Sequence, residues 1–292
     1  MKNVSSVLLG LTLVMAGNAL ASAQQMDQAP PKVLQVTREF IKPGKGGAAH
    51  DRTESAYVQA MARSKEPIHY VAMNSMSGKS RALYLAGYDS FEAIQKDNDA
   101  MNKNAALGAE LDRDTVADGQ LLDGVDQFLF AYDPDTSYRP SGDLTTARYM
   151  EFTDFYIKPG HMSEFNELAK MVIDANKKAG TSAHWVTYDI AYGGDNMVVV
   201  LSADKSMADI DKGFAENKSF ETAMGESGMK KLHELEAASI DKSDSELFSI
   251  NPKQSYPLEE WVKGNPEFWK PKPMMASAAK AASPAPATKT TP

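Results

Sequence analysis

The sequence predicts an α+β protein made of two copies of one module, each running β-α-β-β-α-β, packed sheet against sheet. Three observations lead there. Phe40-Ile41-Lys42-Pro43-Gly44 returns as Tyr156-Ile157-Lys158-Pro159-Gly160, His69-Tyr70-Val71 as His184-Trp185-Val186, and Ser90-Phe91-Glu92-Ala93-Ile94 as Ser206-Met207-Ala208-Asp209-Ile210. Residues 129–134 and 247–252 form a fourth match, in the same order and at nearly the same spacing. Ordered self-similarity at one period marks a repeated structural unit. Within each copy, apolar period two gives way to period 3.6 and back, which separates strands from helices.

In the second copy, residues 148–157 alternate, with Met150 and Phe152 on one face and Glu151 and Thr153 on the other. Lys158-Pro159-Gly160 ends that strand, because proline and glycine do not continue a paired ladder cheaply. Ser163 is the predicted helix N-cap, with Glu164 and Glu167 near the positive helix end. Phe165, Leu168, Ala169, Val172 and Ile173 then form an amphipathic stripe, closed at Ala179-Gly180. Two strands, 185–191 and 196–201, flank the hairpin turn Gly193-Gly194-Asp195. Met207, Ile210 and Phe214 open a second helical region that runs less regularly to Leu235, and 246–250 is the last strand, stopped by Pro252.

The first copy reads alike: a strand at 33–41, a weaker helical stripe from Ala49 to Met61, and strands at 68–75 and 82–86 around the turn Ser77-Gly78-Lys79-Ser80. A second helical region includes Phe91, Ile94, Leu107 and Leu111, and the last strand is 127–132, followed by the turn Asp133-Pro134-Asp135. This element order is the split-βαβ, ferredoxin-like module, with helices on one face of its sheet. The other face needs cover, and two tandem ferredoxin-like modules, 33–140 and 147–257, can cover each other as a pseudo-dimeric barrel.

The strand ending in aromatic-Ile-Lys-Pro-Gly and running into an amphipathic helix resembles the dimeric α+β barrel superfamily, which includes antibiotic-biosynthesis-type monooxygenases, EthD-like proteins and NIPSNAP proteins. The resemblance spans both repeats. It implies a barrel that relatives build from two subunits and that this chain builds alone. Because the superfamily hosts oxygenases, isomerases and haem-handling enzymes, the fold implies little about function.

Lys2, an apolar run from Val7 to Ala16 and the box Ala21-Ser22-Ala23 predict an export signal over residues 1–23, hence a periplasmic or secreted protein. The absence of cysteine excludes a disulfide framework and a lipid-anchor cysteine. A net charge of −8 argues against nucleic acid and against anionic membrane surfaces as partners, and no membrane contact is expected once the signal is removed. Trp261, Phe268 and Trp269 lie among prolines in an arm over residues 258–275, read either as clamped on the second module or as a protein-docking segment. Residues 276–292 are Ala, Pro, Ser, Thr and Lys, a composition that predicts disorder.

The chain carries no convergent nucleophile, cofactor or metal motif, and neither cofactor nor metal is expected. Gly78-Lys79-Ser80 ends like a phosphate loop but has Met73 where the first glycine belongs, so it reads as a hairpin turn. Asp112, Asp114 and Asp118 read as solvated acids, since Val116 interrupts a calcium loop. His50, His161 and His233, which have no histidine at the matching place in the other copy, read as surface residues. The remaining candidates are the matched pairs His69 with His184, Tyr70 with Trp185 and Thr37 with Thr153, together with Glu39 and Glu151. If Leu34, Val36, Met150 and Phe152 face the helices, then Thr37, Glu39, Glu151 and Thr153 face the barrel interior. Three functions stay open: binding of a small apolar or aromatic molecule between the modules, a cofactor-independent monooxygenase or isomerase, and a structural envelope protein with a filled barrel.

Overall fold

The computed structural model describes residues 29–270. The expected export signal and C-terminal tail lie outside them, as do residues 271–275 of the arm. The elements follow the order β1 (Val33–Ile41), α1 (Ala48–Ser64), β2 (Tyr70–Ser75), β3 (Arg81–Tyr88), α2 (Phe91–Lys103), α3 (Ala105–Gly119) and β4 (Leu122–Tyr138). The second half continues with β5 (Tyr149–Ile157), α4 (Met162–Ala179), β6 (Trp185–Tyr192), β7 (Met197–Asp204), α5 (Met207–Ser239) and β8 (Ile240–Ile250). Two short helices, α6 (Glu259–Gly264) and α7 (Pro266–Trp269), end the described chain.

The eight strands close into one antiparallel barrel in the order β1-β3-β2-β8-β5-β7-β6-β4. The first half supplies β4-β1-β3-β2 and the second β8-β5-β7-β6. The pairings β2–β8 and β4–β6 join them. Each four-strand sheet alone would expose two edges and one apolar face, and closure removes all of them from water.

Local chemistry explains the elements. Gly44 and Gly160 both adopt positive φ, 75° and 84°, at the turns that follow β1 and β5. That conformation strains residues with a Cβ. In the β6–β7 turn a Cβ on Gly193 would meet the carbonyl oxygen of Gln127 at 2.3 Å, so only glycine fits. Ser90 caps α2 by accepting from the Ala93 amide, and Asn104 separates α2 from α3 by capping the latter at Leu107. In α5 the corresponding break falls at Gly225, whose φ of 72° interrupts the helix. Two local expectations shift. Helix α4 begins at Met162 with His161 as cap, and Ser163 lies inside it, bonded to Glu164. Asp133-Pro134-Asp135 falls within β4 rather than after it, at a register shift where Asp133 accepts from the Asp135 amide and the Thr136 hydroxyl.

The expected facing of the strands is reversed. Leu34, Val36, Met150 and Phe152 belong to one buried cluster with Val71, Met73, Leu83, Leu85, Val186, Tyr188, Val199, Leu201, Phe130 and Phe248, drawn from all eight strands. That cluster is the barrel interior. Thr37, Glu39, Glu151 and Thr153 therefore point to the outer, helix-bearing side. The physical reason is that a closed barrel shields its lumen more completely than one layer of helices shields the outside, so the most apolar stripe goes inward. Phe155, on the outer face, packs against Phe165 of α4 with ring centroids 5.5 Å apart.

One end of the lumen is filled by charge. Arg38 pairs with Asp154, the residue 116 positions on, at 3.0 Å, and its guanidinium lies over the rings of Phe128 and Phe152. Arg81 pairs with Glu246 close by. At the other end the arm packs onto the barrel: Trp261 and Trp269 are buried in the interior cluster, and Arg148 lies 3.8 Å over the Phe268 ring. The Trp269 indole donates to the Thr145 carbonyl. The docking-segment reading of the arm is thus corrected for its tryptophans, whose surfaces are spent on the barrel itself.

Candidate functional site: the mouth of the barrel

The residues left between the charged end and the arm surround a cavity of about 440 Å³. Matched positions of the two halves build its wall: Leu34 and Met150, Val71 and Val186, Leu85 and Leu201. Leu34, Met150, Val71 and Val186 are the first inward residues of β1, β5, β2 and β6, and Leu85 and Leu201 lie near the ends of β3 and β7, so one end of the barrel collects them. Leu258 and Trp261 close the rim from the arm. Met73, Leu83, Phe130, Phe152 and Phe248, further into the lumen, are fully buried.

His69, His184, Tyr70 and Trp185 all line the cavity. His69 and His184 continue the inward alternation of Val71 and Val186. They are not equivalent chemically. His184 has Nδ1 at 3.2 Å from the Ser182 carbonyl and Nε2 at 3.0 Å from that of Ala203, so backbone occupies both ring nitrogens. His69 stacks on Tyr256 at 4.5 Å, and its Nδ1 is buried without a partner. Trp185 donates to the Thr136 carbonyl and leans on Tyr138. Tyr70 lies against Tyr84 and Tyr256, and burial pushes its hydroxyl well above the usual phenol range.

The other four candidates are elsewhere. Thr153 bonds Ser245 on the outside of the barrel. Glu151 is also outside; loss of solvent raises its carboxyl and the Asp204 charge adds to that. Thr37 pairs between Tyr84 and Gln127 and faces outward. Glu39 meets His50 of α1 at 3.1 Å.

No family model matches this sequence. No curated protein matches it either. Solved structures align with it at low identity. An anthrone oxidase-like protein aligns with a TM-score of 0.49 at 11% identity, over 78% of this chain and 95% of its own. A mutant chlorite dismutase from Candidatus Nitrospira defluvii aligns at 0.47 and 8%, over 80% and 95%. A protein named only provisionally as a monooxygenase, from Lactobacillus acidophilus, aligns at 0.46 and 7%, over 75% and 93%. Likenesses this distant carry no statement about chemistry, which rests on the residues of this chain alone.

A second constellation escaped the sequence reading. His50, expected at the surface, is 1% exposed, and Asp118, expected in solvent, is 2% exposed. With Glu39 and Glu54 they place four ligand-type atoms within 4.8 Å of one another between β1, α1 and α3. One signal was present: His50 and Glu54 stand i, i+4 on a helix, the spacing that sets two side chains on one face. Asp118 lies 68 residues further on, and only the packing of α3 on α1 brings it in. No helix among the described residues is long and apolar enough to cross a membrane.

Proposed function

We propose that this chain is an exported protein, periplasmic or secreted, that holds a small apolar or aromatic molecule in the barrel mouth. We further propose that its barrel arose from two tandem ferredoxin-like modules, which is why the cavity wall carries matched residues. The observation that carries the binding reading is the unpartnered, buried Nδ1 of His69 in the wall of a mostly apolar cavity. A buried polar atom normally has a partner, and a ligand hydroxyl, amide or carbonyl would supply one. The volume suits a molecule of one to three rings. The oxygenase or isomerase reading needs a histidine and a carboxylate in one cavity; Asp89 and Asp143 share the mouth with His69 and His184, and His184 spends its ring nitrogens on backbone carbonyls instead. The filled-barrel reading accounts for the charged end but not for the mouth.

The test is extraction of the natively purified chain, with mass spectrometry of whatever is released, followed by titration of the emptied protein with that compound. Expected is a near-stoichiometric apolar or aromatic compound, with His69→Ala weakening its binding roughly tenfold, the worth of about one hydrogen bond. An empty cavity that also takes up no apolar fluorescent probe would defeat the reading.

A further inference from the structure

The buried acid cluster on the outer face of the first half has nothing to do with the barrel mouth. We propose that Glu39, His50, Glu54 and Asp118 form a site for one divalent transition-metal ion of the Mn²⁺, Fe²⁺ or Zn²⁺ class, enclosed between β1 and the α1–α3 pair.

Geometry comes first. His50 Nε2 lies 3.1 Å from Glu39 Oε2, 3.7 Å from Asp118 Oδ1 and 4.0 Å from Glu54 Oε1. Ligand atoms held about 2.1 Å from a common ion stand about 3.4 Å apart in a tetrahedron, and in an octahedron about 3.0 Å apart when cis and about 4.2 Å when trans. The observed spacings fall within that range.

The second observation is an unmet demand. Glu54 is 4% exposed, and its Oε1, turned toward the other three residues, is buried with no hydrogen-bond partner. The hydroxyl of neighbouring Tyr84 is buried beside the Glu54 carboxylate. Three carboxylates in one dry place repel each other and lose hydration, so either protons or a cation must neutralise them.

Outer contacts hold the donors in place. The Gln254 side chain sits 3.2 Å from His50 Nδ1 and fixes the ring with Nε2 in the cluster. Thr53 donates to Asp118 Oδ1 at 2.6 Å. Such supports fix ring and carboxylate direction in metal centres. The fold does not require the acids. In the second half the residue 116 positions after Glu39 is Phe155, packed with Phe165, Ile157 and Val198 in an apolar cluster. The first half has put charge where its counterpart put hydrocarbon.

The donor set selects the ion. An imidazole nitrogen disfavours Ca²⁺ and Mg²⁺, which take oxygen ligands, and the absence of thiolate disfavours Cu⁺. Glu39, the most exposed of the four side chains at 14%, marks the side from which an ion would enter.

The whole chain, stripped with chelator, is titrated with Zn²⁺ and separately with Mn²⁺ by calorimetry, and its melting temperature is followed in parallel. Expected are one ion per chain and a rise in melting temperature of several degrees. E54Q and D118N should each weaken binding at least tenfold, while E234Q, on the exposed face of α5, should leave it unchanged. Undiminished binding by a folded E54Q and D118N overturns the site. So does a wild-type protein whose melting temperature neither ion moves at millimolar concentration, a result that does not depend on any variant folding. Either failure leaves the barrel-mouth proposal untouched, because that is read from a different compound at a different place.

Discussion

At the scale of single residues, the barrel lumen holds an ion pair that satisfies itself only in part. Arg38 Nε and Asp154 Oδ1 remain buried without partners beside the 3.0 Å bond, and burial pushes the Asp154 carboxyl up while Arg38 pulls it back. Removing one member strands the other charge, so Asp154→Ala should destabilise the fold by about 3–5 kcal/mol in denaturant unfolding. Replacing both, as Arg38→Met with Asp154→Leu, should restore most of that loss, since an apolar pair of similar volume needs no desolvated charge. A double variant no more stable than the single one would refute this reading of the pair. Asp189 offers a pH test. Burial, and then the Asp133 charge, raises its carboxyl to about 6 from the usual 3.8. The folded state thus holds this proton more tightly than the unfolded chain. Its contribution is complete below pH ~3.8 and disappears as pH rises through about 6. Asp189→Asn should flatten the fall in stability over that window relative to wild type; parallel pH profiles for the two proteins would count against it.

At the scale of elements, α6 and α7 matter more than their length suggests. Helices of six and four residues have no stability of their own. They persist because Trp261 and Trp269 are buried in the lumen cluster at 8% and 3% exposure. Truncation of the chain after Lys270 should leave the melting temperature unchanged. Trp269→Ala should destabilise by about 3–5 kcal/mol, the range for a buried large aromatic, and Trp261→Ala should in addition enlarge the cavity mouth. Equal melting curves for wild type and Trp269→Ala would mean that the arm is not clamped. The same scale explains the uneven legibility of the helices. The regular stripe of α4 announced it, whereas α1 buries His50 and Glu54 with Ala60 and Met61, so its inner face does not look apolar in sequence.

At the scale of the whole molecule, barrel closure couples the halves. Each half ends at an edge strand whose ladder is completed by the other, β2 on β8 and β4 on β6. Residues 29–146 or 147–270 expressed alone should therefore be unfolded, aggregated or self-paired, and mixing them should recover the spectrum of the intact chain. A half that is monomeric and as stable as the whole would rule out closure as the source of stability. The cavity depends on the same closure, because each half supplies only one side of its wall.

Repetition, strand period and the turn residues were legible in the sequence, and with them the two β-α-β-β-α-β halves and the matched histidines at the barrel mouth. These are local properties: a proline-glycine turn or a period-two run carries its meaning within ten residues. Which strand face is the lumen was decided only by tertiary structure, because alternation defines two faces without labelling them. For the same reason the sequence leaves the side of Thr37, Glu39, Glu151 and Thr153 open, and the structure places them outside. The difference between His69 and His184 also needed the fold, since it depends on carbonyls at Ser182 and Ala203 and on the ring of Tyr256. The acid cluster needed it most. Glu39, His50, Glu54 and Asp118 span 79 residues of chain, and no local pattern announces a charge that is buried only because α3 folds back over α1.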